Sequence, residues 1–150
     1  MRHAKGEWAL LLNFDTVLDP FCLENFLRSG IQDKPHIAGA APKMYLAREY
    51  RVFDCIGTGI NDRAEAYNIG IGEIDIGQYD RIQRITGVCF GGCFIRHNVY
   101  EIIDGLDESY GMYYEDVDWC FRANLFGYRF YSCPGSIIYF ARDKANPVLA

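Results

Sequence analysis

Trp8-Ala9-Leu10-Leu11-Leu12-Asn13-Phe14-Asp15 is an unbroken apolar run that ends in a polar, acidic tip. Five consecutive apolar residues without alternation suit a strand covered on both faces better than one with a wet side. After the tip, Pro20 opens an amphipathic segment through about Ser29, with Phe21, Leu23, Phe26 and Leu27 as its expected buried side and Gly30 as a stop. Strand, acidic tip and helix in that order predict an α/β fold, in which ligands gather where the carboxyl ends of strands open into a crevice.

A strand is expected from Gly39, running toward Tyr50, and another over Arg51-Val52-Phe53-Asp54-Cys55-Ile56. Gly57 to Tyr79 carries five glycines among scattered charges and reads as a long loop, free to move when no ligand is bound. Val88 to Arg96 is an apolar segment broken by Gly91 and Gly92. A short helix should follow from Asn98 to Ile103, and a second from Tyr114 or Glu115 to Phe126, with Val117, Phe121 and Leu125 at helical spacing and Gly127 beyond its end. Tyr128 to Cys133 and Ser136 to Phe140 read as two strands parted by Pro134-Gly135.

The chain has 150 residues, half of them apolar, which suits a single domain spanning 1–150. Its formal charge of -5 and lack of a basic run exclude an electrostatic nucleic-acid binder. No apolar stretch approaches the roughly 20 residues needed to cross a bilayer, so the chain reads as cytoplasmic, with docking on the inner face of the membrane as the remaining membrane contact. The six cysteines are widely spaced in apolar contexts and read as free structural thiols.

The second acidic cluster, Glu115-Asp116-Val117-Asp118, falls in the first turn of the expected helix, where unpaired backbone N–H groups stabilise negative charge. Crowding acts the other way and raises the proton affinity of one member toward the range of a general base. Tyr110, Tyr113, Tyr114 and Trp119 surround these carboxylates, and aromatic rings beside acids suit the apolar faces of sugars. Arg96 and His97 read as structural.

Leu11-Leu12-Asn13-Phe14-Asp15-Thr16-Val17-Leu18 resembles the metal-site strand of family 2 glycosyltransferases of the rhamnosyltransferase-like type. Gly105-Leu106-Asp107-Glu108-Ser109-Tyr110, running into Met112-Tyr113-Tyr114-Glu115-Asp116-Val117-Asp118-Trp119-Cys120, resembles their acceptor-side signature, and Gly87-Val88-Cys89-Phe90-Gly91-Gly92-Cys93 is similar to the segment before it. The resemblance implies a partial GT-A-like mixed sheet with flanking helices and an inverting transfer of a sugar from a nucleotide-sugar donor to a hydroxyl acceptor such as a glycan. It implies Asp15 as ligand to Mg2+ or Mn2+, Asp116 as general base, and Glu115 beside it at the catalytic site. Asp118, Trp119 and Tyr114 would line the acceptor site, and Gly91 and Gly92 would admit the donor sugar. The family also carries an N-terminal α/β portion that grips the nucleotide, and this chain starts just before the metal-site strand. A truncated domain is therefore expected, one that self-associates or takes its missing half from a partner chain. Where the family has a metal-contacting histidine, this sequence has Phe140. The alternatives are a non-catalytic interaction protein of the same origin and a metal-dependent hydrolase of phosphate or sugar substrates, which would need more than one firmly placed metal carboxylate.

Overall fold

The computed structural model describes residues 3–49 and 51–141; Met1, Arg2, Tyr50 and 142–150, which the single-domain reading includes, lie outside the described residues. A central mixed β-sheet is flanked by helices on both faces. Its strands are β1 (Trp8–Leu12), β2 (Thr16–Leu18), β3 (Ile37–Leu46), β4 (Phe53–Cys55), β7 (Arg84–Ile85), β8 (Gly92–Arg96) and β9 (Arg129–Phe140), while β5 (Thr58–Ile60) and β6 (Ala66–Asn68) form a separate hairpin. The path is β1-β8-β3-β9-β2, with β4 added to β3 and β7 to β9. Among the described strands of this sheet only the β3–β9 pair is parallel.

Helix α1 (Cys22–Arg28) covers one face, and α2 (His97–Ile102) with α3 (Glu115–Leu125) covers the other. The alternation of β8 shows how the chain serves both: Cys93 and Ile95 join Val99, Trp119 and Ala123, whereas Phe94 stacks on Phe26 of α1 at 3.9 Å between ring centroids. β1 does the same, with Ala9 and Leu11 toward α2–α3 and Trp8 and Leu10 toward α1. This is the doubly covered strand its apolar run predicts, yet it lies at the end of the sheet path. The Asn13 N–H donates to the Gly91 carbonyl and the His97 N–H to the Glu7 carbonyl, so odd-numbered residues bond toward β8 and Trp8, Leu10 and Leu12 turn their backbone groups to an edge that no other described strand pairs.

Four expectations need correction. The two strands expected around Pro134-Gly135 are one, because residues 134–136 bulge out between the pairs Pro42–Cys133 and Lys43–Ile137, which accommodates a proline that donates no ladder hydrogen bond. Of the apolar residues expected on the inner side of α1, only Phe26 is buried, joined by Cys22; Phe21, Leu23 and Leu27 are exposed. In α3 the core is filled by Trp119, Cys120 and Ala123, leaving Phe121 and Leu125 in solvent. Both helices obey the 3.6-residue period, but the sheet selects a stripe rotated from the one that hydropathy alone suggests.

The fourth correction concerns the glycine-rich stretch, which is folded against the sheet rather than loose. Its β5–β6 hairpin is followed by a turn fastened through Asp75, a buried carboxylate bonded to the Lys43 ammonium (2.9 Å) and the Tyr45 hydroxyl. Burial pushes the Asp75 carboxyl up, but the Tyr45 hydroxyl, the Lys43 ammonium and the Gly77 N–H together outweigh it and hold it at about 2. Asp80 also pairs with Lys43 from the surface side. At the other end of the sheet, Arg96 is buried with its ring of donors spent on the carbonyls of Ile37, Gln32 and Lys34 and on Glu7, and it lies over the Trp8 ring at 4.5 Å.

Candidate functional site

Both acidic clusters are tied to one short stretch, Cys89-Phe90-Gly91. From the strand side, the Asn13 N–H reaches the Gly91 carbonyl at 3.0 Å. From the helix side, Asp116 Oδ2 accepts the Phe90 N–H at 3.1 Å. Residues a hundred positions apart thus border a single loop at the carboxyl end of β1, as the α/β pattern requires.

Helix α3 starts abruptly. Tyr113 and Tyr114 both take left-handed backbone angles, φ 71° and 68°, a conformation uncommon for side chains of this size. The turn swings the chain so that Glu115, Asp116 and Asp118 all occupy the first helical turn, with the exposed rings of Tyr110, Tyr113 and Tyr114 and the Met112 side chain before them. Backbone strain of this kind, roughly 1–3 kcal/mol per residue, is held in place only by well-determined surroundings and concentrates at functional sites.

Asp116 is partly buried. Its Oδ1 accepts the Val117 N–H at 2.8 Å and its Oδ2 the Phe90 N–H. Burial pushes its carboxyl above the usual carboxylate range; the two N–H groups oppose the rise, and the charge of Glu115 adds to it. Desolvation, rather than the crowding of acids expected from the sequence, is the main cause. Glu115 has its Oε2 buried without a hydrogen-bond partner among the described residues, as does Asp15 with its Oδ1.

Other expected site residues are placed differently. Asp118 is committed to Arg122, at 2.8 Å from Oδ2 to Nε, and that guanidinium in turn holds the Ile103 and Gly105 carbonyls behind α2. Trp119 is 0% exposed, enclosed by Phe90, Tyr100 and Phe130, so its ring forms core rather than a floor for an acceptor. Tyr114, 58% exposed, does face solvent. Gly91 sits against Asn13 and Cys89 with room for a Cβ. Gly92 does not: a Cβ there would come within 2.6 Å of Met44 Cε and 3.1 Å of Ile138 Cδ1, so its missing side chain serves sheet packing, not donor approach.

The expected Mg2+ or Mn2+ centre is overturned. Among the described residues no group of three His, Cys, Asp or Glu side chains is placed to hold a metal ion. A hard cation wants several oxygen ligands at once, and Asp15 lacks such company; His36 and His97 lie elsewhere, and Phe140 offers no ligand atom. The hydrolase alternative loses its metal carboxylates by the same finding. All six cysteines are free thiols. Five are buried and Cys89 is partly so; its desolvation pushes the thiol up to about 11, which keeps it protonated and unreactive beside Asp116.

Cys89 and Phe90 were not anticipated as site residues. Phe90 acts through its backbone N–H, which no side-chain pattern advertises. Asp54, within the strand expected over residues 51–56, is buried in β4 and lies in the electrostatic neighbourhood of Cys55 and Cys89. No described helix is long and apolar enough to cross a membrane. No protein-family model matches the chain, and no curated protein matches it either.

Proposed function

We propose that this chain is the acceptor-side portion of a GT-A-like family 2 glycosyltransferase and serves inverting transfer of a sugar from a nucleotide-sugar donor to an acceptor hydroxyl. Asp116 is the general base. Its carboxylate takes the proton of the acceptor hydroxyl while that oxygen bonds to the anomeric carbon, and the bond from that carbon to the donor diphosphate breaks with its electron pair leaving on the diphosphate. The observation that carries this reading is the state of Asp116: a desolvated carboxylate of raised proton affinity, oriented by two backbone N–H groups, on the first turn of a helix and next to exposed tyrosines. A carboxylate left in water is too weakly basic for the task, and a loosely held one is poorly aimed. Glu115 sustains the proton affinity of Asp116 by its charge, and Tyr113 and Tyr114 offer ring faces to the acceptor sugar. On this reading the protein works in the cytoplasm, with docking on the inner face of the membrane as its membrane contact.

The open edge of β1 favours a second reading, a non-catalytic interaction protein that pairs with another copy or with a partner chain supplying nucleotide-binding strands. Apolar on both faces and lacking lysine, proline or a bulge, this strand is paired on one side only among the described residues. A transfer assay separates the two. The chain is incubated with a panel of labelled nucleotide sugars and simple glycoside acceptors, and its mass in solution is recorded alongside. Transfer that falls by about 10²–10⁴-fold in Asp116→Asn supports the base. A folded chain that forms a defined oligomer and transfers nothing from any donor overturns the enzymatic reading in favour of the interaction protein.

A further inference from the structure

Three side-chain contacts of α3 recur every four residues and meet a neighbouring segment every two. The Asn124 amide donates to the Thr86 carbonyl at 2.8 Å, the Cys120 thiol exchanges hydrogen bonds with the N–H and carbonyl of Val88, and Asp116 receives the Phe90 N–H. Four helical residues rise roughly 6 Å, and two extended residues cover roughly 6.6 Å, so the two repeats stay in step over the length of the contact. The approach is close: a Cβ on Gly87 would stand 2.8 Å from Cys120 Cβ and 2.9 Å from its Sγ. On its other side the segment is held by Thr58, whose carbonyl accepts from Thr86 and Gly87 and whose N–H donates back to Gly87.

We propose that Gly87, Cys120 and Asn124 are positioning residues for Asp116, holding residues 86–90 in register along α3 so that the Phe90 N–H rests on the Asp116 carboxylate. The role in catalysis rests on the proposed function; the effect on the carboxylate does not. Cys120 suits the middle position because burial raises its thiol far above neutral pH, which keeps the proton that it donates. Displacing the segment at Thr86, by loss of the Asn124 amide, or at Gly87, by a Cβ against Cys120, withdraws the N–H of Phe90 from Asp116. An N–H bonded to a carboxylate favours its ionised form, so its loss raises the proton affinity further. Facing Asp116 are Glu115 and Cys120 from its own helix, Cys89 from the segment, Cys93 from β8 and Cys55 from β4, with Asp54 against the last strand's thiol and Cys89. The thiols remain neutral across the carboxylate range, so Glu115 is the group whose titration has to be separated from that of Asp116.

The test is a carboxyl ¹³C NMR titration, with Asp116→Asn and Glu115→Gln used to assign the signals. Asn124→Ala and Gly87→Ala are each expected to raise the Asp116 midpoint by about 0.5–1 pH unit, the equivalent of one hydrogen bond. Ile103→Val, which thins the same core but removes none of the hydrogen bonds between the segment and α3, should lower stability and leave the midpoint in place. Should Gly87→Ala fail to fold, Asn124→Ala alone decides. An unmoved midpoint in a folded Asn124→Ala protein overturns the proposal, as does an equal shift in Ile103→Val. A shifted midpoint in a chain that transfers no sugar leaves the positioning role standing and counts against the glycosyltransferase reading alone.

Discussion

Replacing Lys43 by methionine tests how the glycine-rich excursion is fastened to the sheet. Lys43 lies inside β3 with its ammonium 2.9 Å from Asp75, and both side chains are almost wholly enclosed, at 5% and 2% exposure. Methionine keeps an unbranched apolar stem and removes the ammonium, with its hydrogen bonds to Asp75 and Asp80 and its place over the Phe53 ring. The Asp75 carboxylate is then left buried with the Tyr45 hydroxyl and the Gly77 N–H, and with Arg51 at 3.7 Å from the half-exposed side. Removing one partner of a buried pair costs about 3–5 kcal/mol, because the other charge stays behind uncompensated. The pair from Lys43 to Asp80 adds little to this, since Asp80 is mostly in solvent. For a chain of this size the loss corresponds to a fall in Tm of roughly 10 °C. The pH dependence adds an independent signature. A carboxyl held at about 2 when folded, against 3.8 unfolded, contributes about 2 kcal/mol that is fully present above the unfolded value and lost as pH falls through the folded one. Without Lys43 the folded value rises, and the acid limb of the stability curve moves to higher pH. Thermal unfolding of both proteins from roughly pH 2 to 7 reads the two effects together. A Tm within about 2 °C of wild type, or acid limbs that superimpose, would refute the reasoning.

Arg96→Gln should destabilise by about 3 kcal/mol or more, because it leaves the Ile37, Gln32 and Lys34 carbonyls without their shared donor; denaturant unfolding with an unchanged m-value checks it. Gly92→Ala should cost about 1–3 kcal/mol through the clash with Met44 and Ile138, and Met44→Ala in the same protein should recover part of the loss. Tyr113→Gly removes a left-handed backbone cost of about 1–2 kcal/mol and adds glycine entropy of about 0.5–1, so stability should rise by roughly 0.5–1 kcal/mol in calorimetry.

The elements with strong local chemistry are legible in the chain. The Trp8-Ala9-Leu10-Leu11-Leu12 run is a strand covered on both faces, and α3 begins at Glu115 with its acids in the first turn as expected. A strand from Gly39 and one near Phe53 are also there, with shifted ends. What misleads is hydropathy without a partner in view. Phe21, Leu23 and Leu27 look like the buried side of α1, but the sheet presents Ile37, Phe94 and Ile138 at an angle that admits only Cys22 and Phe26. Trp119, beside three acids in sequence, is enclosed by Phe90, Tyr100 and Phe130 instead of facing solvent with Tyr113 and Tyr114. Pro134-Gly135 reads as a break because local rules forbid proline a ladder bond, yet a bulge lets β9 continue on either side of it.

Of the site, residue types and helix phase are local properties, and the sequence by itself determined them: which carboxylates share a turn, which tyrosines precede them, and that an acidic tip follows an apolar strand. Tertiary structure decided everything that depends on distance between remote segments. It brought the Asn13 and Asp116 ends onto one loop and enclosed Asp116 enough to raise its proton affinity. It gave Arg122 the Ile103 and Gly105 carbonyls and packed Met44 against Gly92, and gathered no metal-holding group among the described residues. The physical reason is that burial and hydrogen-bond satisfaction are set by what the folded chain places alongside a group, and a linear sequence carries that information only through the fold it produces.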